Sequence, residues 1–224
     1  MTRANALAVG AGAIGAALGA QASVATARAA GATAFHFDEA RFRAILAKPA
    51  RHRQCCASTK PSWSLLDAMM ATMYAYQFDL NEGPGTAHEV GVVYHPAAVT
   101  MALDDEIWNA MILRALPRMS SYYTNELSHL SSKGNPFLHR RADVPVTNDT
   151  AIAALVSRGA SFFVCNNALL GLADDLGTAL HENSDRVHAR LLAGLVPGAM
   201  AVPAGVMAID ACQQAGFTYL QTAL

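Results

Sequence analysis

The period of the apolar residues changes repeatedly along this chain, and each change marks a new element. Asp38 precedes Phe42, Ile45 and Leu46, which share one helical face, so a helix is predicted from Glu39 to Lys48 and Pro49 closes it. Arg51 to Ala57, with Cys55 and Cys56 inside it, is a candidate first strand. Leu65, Leu66, Met69, Met73, Tyr76 and Leu80 then recur at helical spacing behind Ser62 or Ser64, and Gly83-Pro84-Gly85 breaks that helix. Glu89 to His95 is a continuous apolar-rich run bounded by Pro96, the pattern of a buried strand.

A helix is expected from about Asp104 to Leu116, with acids in its first turn and Arg114 near its last. Residues 117–147 form a long polar connection holding Tyr122, Tyr123 and His129, a length typical of lids, binding loops or contacts. Asn148 or Thr150 begins the next helix, with Ile152, Leu155 and Val156 inward and Gly159 as its stop. Ala160 to Cys165 reads as a short buried strand that turns directly into a helix over Asn167 to Leu176. A further helix from Ser184 to Leu192, a strand from Gly198 to Pro203, a helix from Ala204 to Gln214 and a last short strand over Phe217 to Leu220 complete the order. Strands alternating with helices imply parallel pairing with right-handed crossovers, hence an α/β sheet covered on both faces.

The first thirty residues do not belong to that alternation. Residues 4–34 contain no acid and are dominated by Ala and Gly; Arg3 precedes the small-residue run Ala6 to Leu18, and Ala27-Arg28-Ala29 resembles a signal-peptidase site. The segment 1–30 is therefore expected to be a secretory signal, with a disordered leader as the alternative, followed by a helical segment over 31–49 and a domain over 50–224. Thr2-Arg3-Ala4 lacks a twin-arginine pair. Without Arg3 and Arg28 the 16 basic residues fall to 14 against 17 acids, a net charge of −3, and nothing in that balance points to nucleic acid. No later apolar run has membrane-spanning length, so no stable membrane insertion is expected once the leader is gone.

Cys165 carries the sharpest chemical signal. Ligands of open α/β sheets bind at the carboxyl ends of the strands, and a helix N-terminus presents partial positive charge to whatever sits there. A thiol in that position has both location and electrostatics in its favour, although buried free cysteines commonly serve only as packing. His95 closes another strand and is a candidate proton partner or else a turn residue before Pro96; Asn166 and Asn167 are candidates to cap the following helix or to bind an anionic ligand. If the first strand neighbours the Cys165 strand, Cys55 or Cys56 is a candidate resolving thiol; otherwise both are packing, as is expected of Cys212. His129, His139, His181 and His188 fall in polar segments expected to be exposed, no C-x-x-C or H-E-x-x-H occurs, and no metal or cofactor is expected.

Four stretches resemble the DsrE/DsrF-like family, the small α/β proteins of sulfur relay. They are Leu65 to Leu80 followed by Asn81-Glu82-Gly83-Pro84-Gly85; Val92-Val93-Tyr94-His95; Phe162-Phe163-Val164-Cys165-Asn166-Asn167-Ala168-Leu169; and Leu195 to Val206 followed by Gln213 to Tyr219. The resemblance runs from about residue 50 to the C-terminus. It implies a flavodoxin-like three-layer sandwich with a mostly parallel sheet of about 4–5 strands, often assembled into homo-oligomers. It also implies a persulfide held on the cysteine after a central strand, which Cys165 matches, and a small sulfur-containing donor or acceptor as partner. The leader makes this an exported, periplasmic version of such a protein, and the Cys55-Cys56 pair is not a relay feature.

Overall fold

The computed structural model describes residues 35–130, 133–140 and 149–223. The expected leader at 1–30 lies outside the described residues, as does Asn148. Five strands, β1 (His52–Ser58), β2 (Ala87–Val93), β3 (Ser161–Cys165), β4 (Ala199–Val202) and β5 (Thr218–Ala223), form one all-parallel sheet in the order β4-β3-β2-β1-β5. Helices α1 (Glu39–Leu46), α2 (Trp63–Tyr74), α3 (Asp105–Ile107), α4 (Leu113–Ala115), α5 (Ser121–Leu127), α6 (Ile152–Ser157), α7 (Asn166–Leu180), α8 (Ser184–Ala193) and α9 (Gly205–Gln214) surround it. The architecture is a flavodoxin-like three-layer α/β sandwich: the alternation of elements anticipated a parallel sheet covered on both faces, and the flavodoxin-like arrangement is what the family resemblance implied.

The distribution of helices follows from the strand order. The chain steps from β1 to β2, β3 and β4 in one direction, so right-handed crossovers put every intervening helix on one face. The step from β4 to β5 runs back across the sheet and carries α9 over the opposite face, where α1 joins it. Phe42 of α1, Ala208 and Cys212 of α9, and Cys55, Val90, Val92, Phe163, Met200 and Val202 of the sheet make the core of that second layer. On the first face Gly91 leaves room for Phe162 and Met69: a Cβ there would lie 2.6 Å from Phe162 Cδ1 and 3.1 Å from Met69 Sδ.

The helix after Cys165, expected to end at Leu176, runs on to Leu180, and two helices are interrupted where continuous ones are expected. α2 ends at Tyr74 and continues as one wide π turn, Ala75–Asp79. The predicted helix over Asp104 to Leu116 is broken into α3, a π turn (Trp108–Ile112), α4 and a 3-10 turn (Leu116–Arg118). Asp104 caps it by accepting from the Ile107 N–H at 2.8 Å. Part of the long polar connection is built rather than loose. α5 lies inside it, and the Asn135 side chain donates to Met101 O at 2.7 Å and Leu103 O at 2.6 Å, anchoring buried Phe137.

β2 is buried along its whole length although it contains His88 and Glu89. Glu89 Oε1 and both ring nitrogens of His88 have no hydrogen-bond partner, and burial pushes the Glu89 carboxyl up to about 8 and the His88 imidazole down to about 4. Glu89 Oε2 accepts from Cys56 Sγ at 3.8 Å; the same thiol reaches Gln54 Oε1 at 3.5 Å, which also accepts from Thr72 Oγ1 at 2.9 Å. A carboxyl raised from 4.5 holds its proton in the folded chain and loses it in the unfolded one, so stability falls as pH rises through that interval. The depressed His88 acts oppositely, but only below its ordinary 6.5. Between pH 6.5 and 8 the Glu89 effect stands alone, and urea denaturation should show wild type losing about 1.5 kcal/mol that Glu89→Gln does not lose. Equal losses in both chains would remove Glu89 as the cause.

Candidate functional site

At the carboxyl edge, the connection leaving β3 passes to the first face and the connection leaving β4 passes to the second. The crevice of an open α/β sheet opens where neighbouring connections diverge in this way. Cys165 occupies that point: it is the last residue of β3, pairs with Val202 of β4, and serves as the N-cap of α7. Its side chain makes no capping hydrogen bond, and no acid stands in the first turn of the helix. The sulfur-bearing residue is 6% exposed.

Cys165 shares its side of the sheet with Val92, Tyr94 and Phe163, the side that α9 covers. Gly205 begins α9 directly above it. A Cβ on Gly205 would stand 2.2 Å from Tyr94 Cβ and 3.4 Å from Cys165 Cβ, so the helix backbone itself is the roof of the cysteine. Pro203 and Ala204 carry the chain from β4 into this roof. Beside it, Tyr94 donates its hydroxyl to Gln221 Oε1 at 3.3 Å, and Tyr219 donates to the same oxygen.

His95 follows β2 and is exposed. Its hydrogen-bond partner is the Tyr122 hydroxyl at 3.2 Å from Nδ1, and that hydroxyl also accepts from the Ala97 N–H at 3.4 Å. Burial raises the Tyr122 phenol above its ordinary range, and the backbone bond partly offsets this. Tyr123 turns the other way: it is buried and donates to Asp175 Oδ2 at 2.6 Å, and burial followed by that carboxylate holds its phenol far above the usual value. The two tyrosines thus have separate uses. Tyr122 tethers the imidazole at the carboxyl edge, while Tyr123 locks α5 onto α7.

Asn166 and Asn167 also separate. Neither caps α7, because Cys165 holds the N-cap position. Asn166 is buried and its Oδ1 accepts from His188 Nε2 at 2.8 Å, which makes it a tie between α7 and α8. Asn167 is exposed in the first turn beside Cys165 and is the one of the pair open to a ligand. His188, expected at the surface, is 3% exposed because α8 packs against α7 and its Val187, His188 and Leu191 face turns inward.

The resolving-thiol expectation for Cys55 and Cys56 does not hold. β2 lies between β1 and β3, so the strands are two spacings, about 10 Å, apart, beyond the reach of about 7 Å that a disulfide needs. The register adds to this: Cys55 stands beside Val90, which stands beside Ser161, the opposite end of β3 from Cys165. Sequence reading passed over His88 and Glu89; polar residues inside a central strand buried on both faces were the available signal. Two depressions lie away from Cys165. One of about 480 Å³ adjoins Met73, Phe78, Gly85 and Arg158 at the amino end of the sheet, and one of about 720 Å³ runs between α1 and α9. Among the described residues no three His, Cys, Asp or Glu side chains gather as metal ligands, and no helix is long and apolar enough to cross a membrane.

No family model matches this chain, and no curated protein does. A solved structure of a protein of unknown function, MTH1491 from Methanobacterium thermoautotrophicum, is similar over 76% of this chain and 98% of its own length, at 15% identity and a TM-score of 0.35.

Tyr94 Cβ is fixed to the backbone and cannot rotate away from a methyl group at position 205. Gly205→Ala is therefore expected to lift the start of α9, to cost about 1–3 kcal/mol in denaturant unfolding, and to speed alkylation of Cys165 by a small maleimide in the native state. Unchanged stability together with unchanged labelling would mean that α9 is not the roof.

Proposed function

We propose that this protein carries or transfers sulfur as a persulfide on Cys165, in the manner of the DsrE-like proteins its sequence resembles. The observation that carries the reading is the place of this thiol: the N-cap of a fifteen-residue helix, without a side-chain cap, at the point where the connections of adjacent parallel strands diverge. The Cys165 thiolate attacks the outer, sulfane sulfur of a thiosulfate- or polysulfide-type donor. A new S–S bond forms to Cys165, the donor's S–S bond breaks, and sulfite or the shortened polysulfide leaves with the electron pair. The free N–H groups opening α7 stabilise the negative terminal sulfur, and Asn167 stands next to them.

His95, tethered by Tyr122 at the same edge, accepts the thiol proton and returns it when sulfur passes to an acceptor. The proposal extends to export through the 1–30 leader into the periplasm and to assembly as a homo-oligomer. A second reading, a small-molecule-binding or assembly module without chemistry, draws on the 6% exposure of Cys165.

Incubation with thiosulfate or polysulfide followed by intact-mass measurement separates the two. Wild type is expected to gain multiples of one sulfur mass and Cys165→Ser to gain none. His95→Ala is expected to load on the order of a hundredfold more slowly. No sulfur gain by wild type, or equal gain by Cys165→Ser, would sink the persulfide reading and leave the binding module.

A further inference from the structure

Cys55 and Cys212 lie in the core between the sheet and α9, far from the chemistry assigned to Cys165. Both are 0% exposed, both are free thiols here, and both side chains belong to one buried apolar cluster between the sheet and α9. We propose that these two cysteines form a disulfide that joins the first strand of the domain to its last helix.

The packing of α9 makes the bridge sterically accessible. Its buried positions are Gly205, Ala208 and Cys212, all small, so the helix lies low on the sheet. Its Cα atoms come within 8 Å of those of β1, β2, β3 and β5. Cys55 sits in the middle of β1 with its side chain on the α9 face, in the same apolar cluster as Cys212. Cys56, the adjacent residue, points to the other face and meets Glu89, so the register of β1 selects one partner of the pair.

The surroundings also say when the bond forms. The contact with Cys212, then burial, holds the Cys55 thiol far above its ordinary range, which leaves it without thiolate in the folded core. Exchange therefore takes place before α9 closes on the sheet. Each thiol gives up its proton, and the pair gives up two electrons to a disulfide-class oxidant, which leaves as two thiols. One S–S bond forms in the protein and one breaks in the oxidant. The inference does not depend on the persulfide reading.

The test is to refold the full chain from guanidine in a mixture of oxidised and reduced glutathione, denature it again, block it with N-ethylmaleimide and measure its mass and its peptides. Two adducts are expected, on Cys56 and Cys165, in a chain lighter by two hydrogens, with the Cys212 peptide linked to the peptide holding Cys55. Cys56→Ser should keep the link. Cys212→Ala should show three adducts, and reductant should lower the melting temperature of wild type but not of Cys212→Ala. Four adducts on wild type, a stable glutathione adduct at Cys55, or a link that joins Cys212 to Cys56 or Cys165 would overturn the proposal. Should Cys212→Ala fail to refold, Cys55→Ser supplies the same count.

Discussion

The handedness of parallel crossovers governs the rest of this molecule. Because β1 to β4 advance in one direction, their connecting helices all fall on one face, and the other face would have only α1 to cover it without the single reversal that leads to β5. α9 is that reversal. It has to cover Cys55, Val90, Val92, Phe163 and Met200, and it does so with small residues that bring its backbone close to the sheet. The same step makes the connections of β3 and β4 diverge, so one topological event sets both the second core and the position of Cys165.

The polar groups divide accordingly. At the carboxyl edge Tyr94, His95 and Tyr122 are satisfied and partly open to solvent. Inside the sheet His88 and Glu89 are closed off with unmet hydrogen-bonding capacity. Such groups cost stability, and here they sit on a central strand that is buried along its whole length. His188 and Asn166 show the third case, a buried polar pair that satisfies itself and holds α7 to α8 beneath the cysteine.

Much of the fold was legible in the chain. The strand Ala160 to Cys165 and its helix appear where the apolar run meets the 3.6-residue period, because both signals are local. The α2 and Asp104 helices were legible only in outline, since a 3.6-residue apolar period does not register the widening to i→i+5 bonding that makes a π turn. His188 was misjudged because a histidine among charges looks solvated until the helix opposite it is known. The resolving role of Cys55 and Cys56 depended on strand order, which no local pattern encodes.

The sequence by itself determined the alternation of strands and helices, the parallel sheet that follows from it, and the position of Cys165 at a strand-to-helix turn. Periodicity and turn residues act within a few positions and need no partner to be read. Tertiary structure alone decided that β2 separates β1 from β3, that Cys55 and Cys212 share one core, that Asn166 serves His188 while Asn167 faces solvent, and that Gly205 roofs Cys165. Each of these joins residues far apart in the chain. It becomes definite only when the crossovers have chosen their faces.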